Sequence, residues 1–162
     1  MSEIPAEVQQ RCNAYCQQYE RKIEGLRGWG LDGYIWQTTQ DSILKVCIRE
    51  TAFQRELVVY QRLQAHQVNR LQGFQVPILL DYDENLLVLE LSYVRPPFVL
   101  DFAAATLDDP PPELDIDSAD WIAEKRSVYG ERWPDVSRLL DALRHLGIYY
   151  TDVHSENIRV DQ

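Results

Sequence analysis

Residues 42–48 (SILKVCI) read as a strand with a lysine, Lys45, set among apolar neighbours. The helical run that follows carries Glu56 in line with Ala52, Val59 and Leu63. A strand side chain alternates between faces, so Lys45 taken alone could point to water. Glu56 is harder to place, because an unpaired carboxylate on the apolar stripe of a helix is buried at large cost. An ion pair between Lys45 and Glu56 removes that cost, and it obliges the strand and the helix to pack face to face. Glu50, at the strand end, is the rival partner and the one better served by solvent.

The rest of the pattern surrounds this pair. Residues 5–19 read as a helix opened by Pro5, with Val8, Cys12, Ala14, Tyr15 and Tyr19 as an imperfect apolar stripe. Three strands are expected at 23–29, 34–39 and 42–48, the last two joined by a tight turn at Gln40-Asp41. A helix follows at 51–66, then strands at 76–82 and 86–91 separated by Asp83-Glu84-Asn85. Residues 106–120 hold six acids, no base and Pro110, Pro111 and Pro112, the composition of a solvated, partly extended loop. Helices resume at 118–129 and 134–146. In the second, Val136, Leu139, Leu140, Leu143 and Leu146 form the core stripe between Pro134 and Gly147. A short strand is expected at 158–160.

Composition narrows the functions open to such a chain. With 162 residues, 45% of them hydrophobic, it can bury a core as one globular unit. No run of 18 apolar residues occurs and the N-terminal residues are polar, which predicts neither a membrane span nor a secretory signal, and a cytoplasmic location. A net charge of −10 argues against nucleic acid or anionic lipid as a partner, so a polyanion must be held by a local site. Cys12 and Cys16 lie one helical turn apart without a second Cys or His pair to complete a tetrahedral metal site, and reduced thiols are expected.

Two motifs give the Lys45–Glu56 pair a chemical setting. Residues 28–35 (GWGLDGYI) match G-x-G-x-x-G-x-V with Ile35 in the last place, a hairpin whose glycines let backbone approach phosphates. A strand follows the glycines, which disfavours a dinucleotide-binding turn. Near the other end, YYTDVHSENIRV places Asp152 five residues before Asn157.

Together, in this order, these residues resemble the protein-kinase-like superfamily over about 23–162, in the form of a small bacterial member. His154, two after Asp152, makes the catalytic loop more similar to that of aminoglycoside and choline kinases than to that of protein kinases. The resemblance implies an α+β, two-lobe fold: residues 1–94 form an N-terminal helix and small lobe with a five-stranded antiparallel sheet and one helix. Residues 95–162 form a hinge, the acidic loop and a reduced helical lobe. It further implies ATP and magnesium as ligands. Gly28, Gly30 and Gly33 would cover the phosphates, Lys45 would hold them with Glu56 fixing Lys45, Asp152 would act as base and Asn157 would bind the metal. Ile35 would cover the base, Leu89 would be gatekeeper, and the backbone of Glu90 and Ser92 would meet adenine.

The family pattern is broken in two places. Tyr150 stands where a His often precedes the catalytic Asp. After Asn157 the chain offers only Asp161, four residues on, too close for the metal-binding Asp that normally follows. Asp161 or the acidic loop would have to substitute. Two functions remain open: an ATP-dependent phosphotransferase acting on a hydroxyl acceptor, or a catalytically impaired, kinase-shaped regulatory module engaging a protein through the acidic loop or the strand edge at 158–160.

Overall fold

A computed structural model describes residues 3–161. In chain order the elements are α1 (Ala6–Gln18), β1 (Ile23–Trp29), β2 (Gly33–Thr38), β3 (Ser42–Cys47), α2 (Glu50–Ala65), β4 (Arg70–Leu71), β5 (Phe74–Gln75), β6 (Leu79–Asp83) and β7 (Val88–Ser92). They continue with β8 (Phe98–Val99), β9 (Thr106–Leu107), α3 (Ala119–Tyr129), a 3-10 turn at Gly130–Arg132, α4 (Trp133–His145), β10 (Ile148–Tyr149) and β11 (Ile158–Arg159).

The protein is α+β, built on an antiparallel five-stranded sheet in the order β1-β2-β3-β7-β6. Its two central strands, β3 and β7, are buried along almost their whole length, with Lys45 and Glu90 as the charged residues among their apolar neighbours. Helix α2 buries Ala52, Phe53, Glu56, Leu57, Val59, Tyr60 and Leu63. Phe53, Leu57, Val59, Tyr60 and Leu63 belong to a core that continues through Phe102 and Tyr150 to Val136, Leu139 and Leu143 of α4. Each such side chain contributes about 2 kcal/mol when removed from water, so α2 is held by packing more than by its own propensity. A second core lies beneath α1, where Val8, Cys12 and Tyr15 meet Tyr34, Trp36, Leu44 and Val46.

Helix α4 begins with Pro134 in its first turn and ends at Gly147, whose φ is +76°, a conformation that suits glycine. The two-residue strands β4, β5, β8, β9 and β10 are too short to show periodicity, and the sequence reading did not contain them. They matter because β11 pairs antiparallel with β8, Ile158 opposite Val99 and Arg159 opposite Phe98, in a four-stranded sheet ordered β11-β8-β5-β4. The stretch just after β8 is thereby brought against the stretch just before β11.

Candidate active site

Strand β3 places Lys45 opposite Ile35 on one side and Leu89 on the other. Its ammonium lies 2.6 Å from Glu56 Oε2, and both side chains are buried. Glu56 Oε1 accepts from the backbone N–H of Phe102 at 3.3 Å. The ammonium has a second carboxylate neighbour that the sequence reading did not name: Asp101 Oδ1, at 3.0 Å. Burial works against the charge on Lys45, but attraction to Glu56 and then to Asp101 outweighs it and leaves its pKa raised. Lys45 is a fixed cation at the bottom of the cleft.

The pairing of β8 with β11 puts Asp101 there. Leu100 donates its N–H to the carbonyl of Asn157 at 2.9 Å, which sets Asp101 beside the loop of Asp152 and Asn157. Asp101 has φ +63°, a left-handed conformation that Asp adopts more readily than most residues. Phe102 behind it is fully buried between two tyrosines, edge-on to Tyr60 of α2 at 5.2 Å and to Tyr150 at 5.3 Å. Tyr150 also donates its hydroxyl to the carbonyl of Leu100. The residue standing in place of the expected His thus belongs to an aromatic column tying α2, Asp101 and the Asp152 loop together. The sequence signal was an apolar run, Phe98-Val99-Leu100, ending in an acid. Its place before the Asp152 motif rather than after it hid the relation.

In the Asp152 loop, Asn157 is buried, and its Nδ2 donates to Asp152 Oδ2 at 2.8 Å and to the Asp152 carbonyl at 3.2 Å. Asn157 Oδ1 has no hydrogen-bond partner among the described residues, so it is the atom free to take a cation. Asp152 itself is open to solvent, with His154 Nε2 3.5 Å from its other oxygen. Among the described residues no three His, Cys, Asp or Glu side chains come together as a metal cage. A magnesium ion bound with a nucleotide does not need one, since it draws most ligands from water and phosphate and takes one or two from protein. Asp101 and Asn157 fit that requirement.

Two adjoining cavities share Arg27, Ile35, Lys45, Leu100 and Asp101. One, of about 540 Å³, lies under the glycine hairpin and reaches Asp152, His154, Glu156 and Asn157. The other, of about 370 Å³, is a slot between Ile35 and Ile43 of the five-stranded sheet and Phe98, Leu100 and Arg159 on the other side, closed by Leu91 to Val94. Gly28, Gly30 and Gly33 all line the first. The hairpin is closed by Gly30 donating to the Gly33 carbonyl at 3.0 Å, and a Cβ at Gly33 would stand 2.5 Å from the Val46 carbonyl oxygen, so that position admits only glycine.

Three expectations need correcting. Glu90 does not reach the slot: β7 alternates, so Leu89 and Leu91 face the α2 side while Glu90 faces α1, accepting from Tyr15, Arg21 and Ser42. Its backbone lies inside the sheet, opposite Leu44 on one side and Asp81 on the other. Ser92 does line the slot, but its N–H is engaged with the Ile78 carbonyl at 2.9 Å. The N–H of Val94, which also lines the slot, makes no hydrogen bond among the described residues. Leu91 rather than Leu89 is the β7 leucine at the slot wall.

Neither Asp161 nor the acidic loop, the suggested substitutes for the metal-binding Asp, lines either cavity. Asp161 pairs with Arg132 at 2.6 Å, and in the acidic loop Asp108 pairs with Arg62 and Asp117 with Arg144. Finally, the β11 edge is not free for a partner strand: Ile158 donates its N–H to the His154 carbonyl and accepts at its own carbonyl from Tyr129 Oη.

No family model matches the chain, and no curated protein matches it in sequence. Its shape is similar to several solved phosphotransferases. The gentamicin complex of APH(2'')-IIa is 17% identical over 96% of this chain and 43% of its own, with a TM-score of 0.43. ADP-bound aminoglycoside phosphotransferase APH(2'')-Ib is 16% identical over 88% of this chain and 56% of its own, with a TM-score of 0.39. A type I macrolide 2'-phosphotransferase is 15% identical over 88% and 48%, with a TM-score of 0.40. The chain spans about half the length of these three proteins.

Proposed function

We propose that the cleft binds a nucleoside triphosphate with magnesium and transfers its terminal phosphoryl group to a hydroxyl acceptor. The observation that carries this reading is the meeting of Lys45, Glu56 and Asp101 with Asn157 and Asp152 beneath one glycine hairpin. The slot between Ile35 and Phe98 accepts a planar base, with the Val94 N–H available to its edge. Lys45, held by Glu56, faces the phosphates, and the hairpin backbone covers them. Asp101 and Asn157 Oδ1 hold the metal ion, which when bound neutralises charge on the phosphate oxygens.

Asp152 orients the acceptor hydroxyl. As the acceptor oxygen bonds to the terminal phosphorus, its proton passes to the Asp152 carboxylate. The bond from that phosphorus to the bridging oxygen breaks, and the nucleoside diphosphate leaves with the electron pair. Asn157 Nδ2, donating to Asp152 Oδ2, keeps the carboxylate aimed.

Thermal melting with and without magnesium and ATP tests the reading. A ligand at a hundred times its dissociation constant adds about 2.7 kcal/mol to stability. The shift should be present in the wild type and absent in Lys45→Ala. No shift at saturating nucleotide rejects the proposal. Binding without any transfer that Asp152→Ala abolishes would leave a nucleotide-binding regulatory module instead of an enzyme.

A further inference from the structure

Outside both cavities, Arg62 of α2 and Asp108, just past β9, form a fork-to-fork pair. Arg62 Nη1 donates to Asp108 Oδ1 and Nη2 to Oδ2, the latter at 2.9 Å. Nη1 also reaches the Leu146 carbonyl at 3.3 Å, and the Asp108 N–H donates to the Gly147 carbonyl at 2.7 Å. The pair is built around Gly147: a Cβ there would stand 2.5 Å from both Arg62 Nη1 and Asp108 Oδ1. Strands β9 and β10 pair beside it, Leu107 opposite Ile148 and Thr106 opposite Tyr149.

Each of the three segments that meet here carries a residue of the cleft a short way along the chain. Arg62 is six residues after Glu56 on the same helix, Asp108 is seven after Asp101, and Gly147 is five before Asp152. We propose that Arg62 and Asp108 are positioning residues, a surface clamp that holds Glu56, Asp101 and Asp152 in register without touching any ligand. Bidentate guanidinium–carboxylate pairs fix orientation as well as distance, which a lone lysine cannot do. An exposed pair held by attraction alone would contribute little. Here the Gly147 seat and the backbone bond to its carbonyl make the geometry the contribution. The effect on nucleotide binding rests on the function proposed above, whereas the effect on the three segments does not.

The test is amide hydrogen exchange on the nucleotide-free protein, followed by titration with magnesium and ATP, for the wild type, Asp108→Asn and Arg62→Lys. In both variants exchange should rise about fivefold in residues 52–60, 100–103 and 148–152, with residues 34–47 unchanged, and nucleotide affinity should fall by a similar factor. Faster exchange confined to 106–109 and 146–147, with affinity unchanged, overturns the clamp. An Arg62→Lys protein that behaves as wild type overturns the fork as its basis. If the wild type binds no nucleotide, the function proposed above fails, and the exchange pattern alone still decides the clamp.

Discussion

Asp101 Oδ1 lies 3.0 Å from Lys45 Nζ, although 56 positions separate the two residues in the chain. That contact brings a carboxylate beside the Asp152 loop, where the proposed function needs a metal ligand. It depends on β8 and β11 lying side by side. The expected consequence is a division of labour between Asp101 and Lys45, one serving the metal and the other the phosphates. Asp101→Asn keeps the side-chain shape and tolerates φ +63°, so the protein should melt near the wild-type temperature. Its response to ATP should no longer depend on magnesium. Melting curves over a magnesium series at fixed ATP measure this. An undiminished magnesium dependence would remove Asp101 from the site.

Removing Glu56 should expose how costly the buried lysine is. Glu56→Gln leaves Lys45 with only the half-open Asp101 as a counter-charge and should destabilise the protein by about 3 kcal/mol. The double variant Lys45→Met, Glu56→Leu should recover most of that loss while abolishing any nucleotide response, because two apolar side chains pack where the ion pair stood. Urea unfolding of the three proteins gives the comparison. A double variant as unstable as the single one would mean that the ion pair is structural.

The aromatic column makes Phe102 a junction between packing and site. Phe102→Ala should cost about 3–5 kcal/mol, whereas Tyr150→Phe, which loses only the hydroxyl donating to the Leu100 carbonyl, should cost about 1 kcal/mol. Denaturation midpoints at constant slope report both. Equal losses would show that the hydrogen bond, and not the stack, places Asp101.

Acid should loosen α1 from the sheet through Glu90. Burial pushes this carboxyl up, but hydrogen bonds from Arg21, Ser42 and Tyr15 outweigh burial and hold it below its ordinary 4.5. Because the folded value is the lower one, the stabilisation is complete above about pH 4.5 and is lost as pH falls through the folded value. Tyrosine fluorescence and unfolding free energy followed from pH 6 to pH 3 should show this loss in the wild type, with a shallower slope in Glu90→Gln. Parallel slopes would place the acid sensitivity elsewhere.

The Lys45–Glu56 contact was legible in the sequence because burial of a lone carboxylate on an apolar helix stripe admits few solutions. The glycine hairpin and the Asp152–Asn157 spacing were legible because chemistry constrains them locally. Asp101 was not, since its neighbours come from strands of two residues each, whose pairing is fixed by tertiary packing and leaves no periodic trace. Glu90 is a different case. Strict alternation along β7 is enough to put its side chain on the face away from Leu91, whereas the pairing of its backbone with Leu44 and Asp81 inside the sheet leaves no local trace. The free-looking edge at Ile158 failed as a docking site for a reason no local pattern carries: Tyr129, on α3, caps its carbonyl.

Manganese in place of magnesium offers the most direct test that one cleft holds metal and nucleotide. In amide and side-chain nuclear magnetic resonance spectra recorded with ATP, the paramagnetic ion should broaden the signals of residues 100–102 and the Asn157 side-chain amide first, with Lys45 next. Broadening centred on Asp161 or on residues 108–117, or none that requires ATP, would contradict the account.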